Sequence, residues 1–320
     1  MDLLEADSAA PDSAALDSDD PGDTFTGSSR KSLVNSPSYR AFNLAGNNIY
    51  MCLSDEQCPK HIACLIDQIR MDRDSLGPSL DEIRQDMDLQ NLEMGVSETD
   101  VEDYFNDKIF LKPSSLDSLK RIDDNPIAKQ LIPDVGSKFK VSTPWPDMLY
   151  GYNHIKAFPQ QQSQIRSIGN EIMANTQNLM YPFFIIEFKA DSLGGSGSMW
   201  AATNQCLGGS ATCVNIAERL NHQLRLCKKK VQLINSAAFS IAMNGTEARL
   251  YISWKDDELN YYMQKIDSFL LQKPKDYIEF RKHVLNIIDW GKNERLKEIQ
   301  NALDSIPKED RKKGRSGGTN

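Results

Sequence analysis

The stretch that most constrains this chain is Tyr181–Lys189, Tyr-Pro-Phe-Phe-Ile-Ile-Glu-Phe-Lys. Its apolar run is too short for an ordinary helix, and Phe184, Ile185 and Ile186 favour extended backbone. As a strand it puts Phe183, Ile185, Glu187 and Lys189 on one face. A buried strand that ends with an acid and a base on the same side is costly to desolvate unless something binds there. Upstream, Pro146-Asp147 leads into Met-Leu-Tyr-Gly-Tyr, which also reads as a strand. Asp147 at the start of one strand and Glu187 at the end of another can converge on a hard divalent cation. Lys189 beside them can orient a water next to a phosphate.

Bulk composition leaves a soluble globular protein. Charged residues make up 26% and hydrophobic ones 40% of 320 residues. The net charge of −8 is concentrated at one end. Residues 1–29 hold eight acids and no base, which leaves 37 acids against 37 bases in the rest. The body is therefore neutral, and the overall charge says little about nucleic-acid contact. Six cysteines show no Cys-x-x-Cys spacing and read as reduced thiols. The acidic start lacks the apolar core of a signal peptide, and no apolar run approaches the ~20 residues of a membrane helix. The expectation is an intracellular protein of nucleus or cytoplasm, with no membrane partner.

Four regions follow from the pattern. Residues 1–36 read as a disordered acidic tail, 37–135 as a helical N-terminal region, 136–306 as the core with C-terminal helices, and 307–320 as a disordered basic tail. In the helical region, Pro59 opens a helix running from Lys60 to Met71, with Ile62, Leu65, Ile66 and Ile69 on one face. A second helix is expected over 79–94. Ser97 and Asp100 form a capping-box variant for a third through Phe105. Short helices are expected near Leu116 and Leu119 and from Ile127 to Ile132. In the core, Ser137–Ser142 alternates as a first strand, and 159–180 reads as a helix between the two motif strands.

After Lys189 comes a loop with three glycines, then a helix from Met199 to about Lys228, interrupted at Gly208-Gly209 or brought close to the sheet there. Arg219, His222, Arg225, Lys228, Lys229 and Lys230 make a basic stripe along it that suits phosphate contact or a solvated face. Asn244-Gly245 between Ala237–Met243 and Glu247–Trp254 is the strongest hairpin signal. A strand over Tyr261–Leu271 and a helical region from Pro274, broken at Trp290-Gly291, complete the chain. Lys308–Arg315 carries five bases against two acids, which suits a nuclear-import patch or a soluble tail equally.

Pro146, Asp147, Glu187 and Lys189 together resemble the motif of the PD-(D/E)XK nuclease superfamily. The wider context resembles a family of fungal proteins of otherwise unknown function built around that core. This second resemblance rests on Thr143–Tyr152, Pro182–Lys189, Asn204-Gln205-Cys206 and Asp289-Trp290-Gly291, and spans roughly residues 38 to 305. It implies an α/β fold: a restriction-endonuclease-like mixed β-sheet flanked by helices. It implies a Mg²⁺- or Mn²⁺-dependent nuclease acting on nucleic acid, DNA first. Asp147 and Glu187 would be the metal ligands, with the Phe188 carbonyl as a third, and Lys189 would position the attacking water. Gln205 would support the metal or the water, and Arg219, Arg225, Lys228 and Lys229 would hold the nucleic-acid backbone. A further acid is implied on a leading helix, for which Glu98, Glu102 and Asp103 are candidates. The competing expectation is a nuclease-fold protein without turnover that serves as a binding module. A Ser/His or Cys/His hydrolase is poorly supported, because no Gly-x-Ser-x-Gly occurs and the four histidines lack an evident partner.

Overall fold

Tyr181–Lys189 is the hub of the fold, as its apolarity demands. In the computed structural model, which describes residues 33–74, 77–190, 198–227, 231–256 and 259–306, the elements run in this order. Strand β1 (Ile49–Cys52) precedes helices α1 (Lys60–Arg70), α2 (Leu80–Gln85), α3 (Met87–Leu92) and α4 (Glu98–Lys108). Strands β2 (Leu119–Asp123) and β3 (Met148–Asn153), helix α5 (Gln162–Ile168), strand β4 (Leu179–Phe188) and helix α6 (Met199–Leu226) follow. Strands β5 (Ala238–Met243), β6 (Glu247–Asp256) and β7 (Asn260–Leu270) lead to α7 (Pro274–Trp290) and α8 (Leu296–Asp304). The acidic tail, the glycine loop, Lys228–Lys230 and the basic tail anticipated from sequence lie outside the described residues, apart from residues 33–36.

The seven strands form one mixed sheet in the order β1-β7-β6-β5-β4-β3-β2. The β1–β7 and β4–β5 pairs are parallel and the other four are antiparallel. Helices cover both faces, so the α/β class expected from sequence is the one observed. All ten residues of β4 are buried. Its alternation sends Phe184 and Phe188 toward Phe110, with ring centroids 6.4 and 6.0 Å away. On the opposite face Ile185 meets α6 at Gly209, where an added Cβ would lie 2.9 Å from Ile185 Cδ1. The glycine pair therefore lets the helix sit close to the sheet, and α6 runs unbroken through both positions.

Several local expectations are corrected. Leu119 belongs to strand β2, paired with β3, and not to a helix. Arg121 within it is buried, binding Asp123 and the Phe110 carbonyl, so a charged-looking segment is an inner-facing strand. Ser137–Ser142 is not a strand. The carbonyls of Phe139 and Lys140 accept instead from the side-chain amides of Asn47 and Asn43, at 2.7 and 2.8 Å. The helix over 159–180 is only α5 and a short 3-10 turn, because Gly169 at φ +79° leaves helical space and Leu179 already starts β4. The single helix over 79–94 splits at Asp86, which takes extended backbone and caps α3. The Ser97/Asp100 capping box and the Asn244-Gly245 hairpin are present as read. All six cysteines are free thiols. Among the described residues no helix is long and apolar enough to cross a membrane.

At Trp290-Gly291 the chain does not break; it makes a π turn over Gly291–Arg295 and continues into α8. Gly291 is needed for space. A Cβ there would lie 2.1 Å from Phe183 Cζ, and the Gly291 carbonyl accepts from the Tyr152 hydroxyl at 2.7 Å. The expected result for Gly291→Ala is a loss of about 1–3 kcal/mol of unfolding free energy from forced repacking. Denaturant titration checks this, and an unchanged midpoint would mean that the Phe183 ring can move aside freely.

Candidate active site

Pairing of β3 with β4 places Met148 opposite Ile186, which brings Asp147 beside the end of β4. There the Phe188 N–H donates to Asp147 Oδ2 at 2.6 Å. One residue on, the Lys189 N–H donates to the Met243 carbonyl at 2.9 Å, so β5 holds the backbone just past β4. The Lys189 ammonium, itself buried, lies 3.6 Å from Glu98 Oε1 and 4.0 Å from Asp147 Oδ2 and donates to the Phe188 carbonyl. Glu98 comes from the first turn of α4, where the helix N-terminus favours negative charge. Of the three leading-helix acids considered, the fold therefore brings Glu98 to the lysine. Glu102, one turn on, is half-buried and close enough to Asp147 to feel its charge, and Asp103 points to solvent.

Glu187 lies deeper, only 1% exposed. Its Oε2 has no hydrogen-bond partner, and among the described residues no ion pair within 4.0 Å joins it to Lys189. A buried carboxylate oxygen without a partner is expensive unless the group is protonated or faces a cation. Burial, then the nearby Asp147, pushes the Glu187 carboxyl well above its usual range. Burial also raises Asp147 to about 6, with Glu98 and Asp124 adding to the rise and Lys189 and the Phe188 N–H opposing it. Glu102 rises to about 7 through burial and the charges of Asp147 and Asp123. For Lys189 burial is the largest influence and acts downward, but Asp147, Glu187 and Glu98 together outweigh it, and the amine holds its proton more tightly than usual. The buried Cys206 thiol is also pushed well up, by burial and by Glu187.

Asp147, Lys189 and Glu98 meet at the floor of a cleft of about 340 Å³, whose lining also includes Asp124, Trp145 and Gln205, and Glu187 lies buried behind them. The floor carries more carboxylates than cations, and its donors are oxygens, the set a hard divalent cation prefers. The unpartnered Glu187 Oε2 fits such a cation. Among the described residues, however, no three His, Cys, Asp or Glu side chains are gathered around one point as a metal-holding group.

The basic stripe is elsewhere. Arg219 and Arg225 lie 14 and 20 residues beyond Gln205 on α6, about 21 and 30 Å along its axis. Arg219 binds the Gln130 carbonyl at 2.7 Å and Glu171 at 3.8 Å, and Arg225 reaches Glu218 at 3.4 Å. Lys228 and Lys229 fall outside the described residues. His154 is at the far end of β3 from Asp147. Sequence reasoning missed Asp124, whose N–H donates to the Asp147 carbonyl at 3.0 Å and whose Oδ1 accepts from the Trp145 indole at 2.6 Å. No motif marked it. The half-buried Arg40, whose Nε donates to Asn204 Oδ1 at 2.5 Å, was missed too, and only the nearby Asn204-Gln205 gave a signal.

Fold and site define an α/β protein with a mixed sheet and a buried acid–lysine cluster at the floor of a cleft. Residues 102–303 match the family described as Domain of unknown function (DUF7924), and the chain belongs to that family. No curated protein matches the chain. The matched span contains Asp147, Glu187, Lys189 and Gln205 and begins four residues after Glu98.

The raised Asp147 carboxyl sets a sign for stability against pH. The folded protein keeps that proton up to about pH 6, whereas the unfolded chain loses it near the ordinary 3.8. Between these values the unfolded state ionises first, so this residue lowers stability as pH rises and keeps it lowered above. Asp147→Asn retains an acceptor for the Phe188 N–H, and Lys189 retains Glu98. The expected gain is ~1–2 kcal/mol near neutral pH, shrinking towards zero near the ordinary Asp range. Denaturation at the two pH values checks it, and an equal gain at both would remove ionisation as the cause.

Proposed function

We propose that this cleft hydrolyses phosphodiester bonds of nucleic acid with the help of Mg²⁺ or Mn²⁺, as a PD-(D/E)XK nuclease-like protein. The observation that supports it is the meeting of Asp147, Glu98 and Lys189 at the cleft floor, above a buried Glu187 with an unpartnered oxygen. Asp147, Glu187 and the Phe188 carbonyl would hold the cation. Bound there, it would polarise a phosphoryl oxygen and make a water more acidic. Lys189 remains charged through the neutral range and donates toward the space shared with Asp147. It orients the attacking water and offsets charge that develops on the phosphoryl oxygens. Glu98 fixes the direction of that ammonium, and the Phe188 N–H fixes the Asp147 carboxylate. Gln205, half-buried in the wall from α6, offers a neutral amide to hold the water or the phosphate.

A second reading, a nuclease fold kept for binding, is favoured by one specific contact. The Lys189 ammonium rests on the Phe188 carbonyl, one of the three proposed ligands. An internal cation thus already satisfies an oxygen that metal chemistry would need.

Cleavage of plasmid and single-stranded substrates with Mg²⁺ or Mn²⁺ separates the two. The expected outcome is metal-dependent cutting by the wild type, abolished by Asp147→Ala and by Lys189→Ala. Glu98→Gln is expected to leave slower cutting, by about 10–100-fold, as for a residue that orients a functional group. Failure of the folded wild type to cut any nucleic acid in either metal would select the binding reading.

A further inference from the structure

Among the described residues, exposed aromatic rings are confined to one part of the protein. Among the described residues every exposed Phe, Tyr or Trp is one of four: Phe42, Phe139, Trp145 and Trp200. Phe42 and Phe139 stack at 5.3 Å with planes 25° apart, and the Lys138 ammonium is 5.0 Å from the centre of the Phe139 ring. The Arg40 guanidinium lies 3.8 Å from the centre of the Trp200 ring, and its Nε binds Asn204, which lines the cleft. Trp145 lines the cleft itself, with its indole N–H fixed on Asp124. The four rings come from the segment around 39–44, the loop of 137–147 and the first turn of α6, and these are the elements that wall the cleft.

Packing accounts for only part of this. The Phe42–Phe139 stack fastens the N-terminal segment to the loop. Yet Phe42 is 52% exposed, Trp145 41%, Phe139 39% and Trp200 38%, so large ring surfaces still face outward. Single exposed aromatics need no explanation, but four of them on the three elements around one cleft, beside two cations, do. Flat rings beside Arg or Lys are the elements that recognise unstacked bases joined by phosphates. A double helix hides its base faces, so such rings gain little from it. The cleft, at about 340 Å³, is at the small end of ligand pockets and suits one nucleotide unit better than a duplex.

We propose that the cleft takes single-stranded nucleic acid, stacking unpaired bases on Trp145 and Trp200 while Arg40 and Lys138 contact the phosphates on the way to the floor. This rests on the reading above that the substrate is a nucleic acid, and it adds the strandedness. DNA and RNA share the chemistry used, so both are probes. Fluorescence anisotropy of labelled oligothymidylate and oligouridylate of about 16 nucleotides, against a duplex of equal length, tests it without turnover. The full-length wild-type protein is measured in EDTA, where metal-dependent cutting cannot consume the probe. Single strands are expected to bind at least about tenfold more tightly than duplex. Trp145→Ala and Trp200→Ala are each expected to weaken single-strand binding by about 5–100-fold, while Trp145→Phe keeps most of it and far-ultraviolet circular dichroism stays unchanged. Equal or tighter binding of the duplex overturns the proposal, as does single-strand affinity indifferent to both alanine substitutions, or no binding of either form. Cleavage is scored separately. Single-strand binding without cutting removes hydrolysis and leaves this inference standing, whereas cutting of duplex without single-strand preference does the reverse.

Discussion

Everything in this fold answers to the end of β4, where a strand buried on both faces stops at Glu187, Phe188 and Lys189. Carboxylate and ammonium groups are expensive to remove from water, and a lysine and a glutamate on one buried strand do not cancel by proximity alone. Here they do not pair with each other. Lys189 turns to Asp147 and Glu98, two acids brought from just before β3 and from α4. The sheet, the leading helix and the cleft therefore have a common origin in the need to surround one ammonium. The helix on the other face must approach closely to seal the strand, which is why α6 passes Ile185 with a glycine.

The cluster is over-supplied with acid. Asp147, Glu187 and Glu98 act on one lysine, and Glu102 and Asp124 lie close enough to act on Asp147 or to feel its charge. Burial keeps Asp147, Glu187 and Glu102 protonated into a higher pH range than usual, while the charges of Asp147, Glu187 and Glu98 make Lys189 hold its proton more tightly. An arrangement chosen for stability would have fewer carboxyls or an apolar core, since replacing buried ionic groups by apolar ones is often neutral or stabilising. Retained instability of this kind is characteristic of sites that handle charge. The same excess argues against direct attraction of a bare polyanion to the floor. A phosphate can approach only where a cation offsets the carboxylates, and Lys189 provides one such charge.

The central features were legible because each rests on local chemistry. Phe184, Ile185 and Ile186 define a strand by themselves, Asn244-Gly245 defines its own hairpin, and Ser97 with Asp100 defines its own cap. The edge strands were not legible. β1 has four residues and β2 has five, and β2 carries Lys120, Arg121 and Asp123 among its apolar positions. Only pairing with β3, some 25 residues away in sequence, makes β2 a strand. Ser137–Ser142 failed in the opposite way. Its alternation is real, but Asn43 and Asn47 satisfy its carbonyls from outside any sheet. Choosing Glu98 from three acids was likewise beyond the sequence, because helical spacing orders residues around an axis without saying which side meets β4.

The cleft is assembled from two parts of the chain with different standing. Its floor of Asp147, Lys189 and Gln205 lies within the matched residues 102–303, whereas Val34, Asn35, Tyr39 and Glu98 in its lining lie before them. That outer wall is pinned by specific polar bonds. The Tyr39 hydroxyl accepts from the Ser142 N–H at 3.0 Å, the Asn204 amide donates to the Val34 carbonyl at 2.7 Å, and Arg40 binds Asn204 from the other side. Each bond runs from the N-terminal segment to the loop before Asp147 or to α6, so the wall registers directly on the elements that carry the floor. Residues 102–303 alone would keep Asp147, Glu187 and the lysine, but would lack Glu98 and one side of the cleft. The buried charges would then face open water, where Coulomb interactions weaken severalfold and a bound group has less to hold it. The acid–lysine floor and the wall pinned to it are thus separable in sequence but not in the folded site.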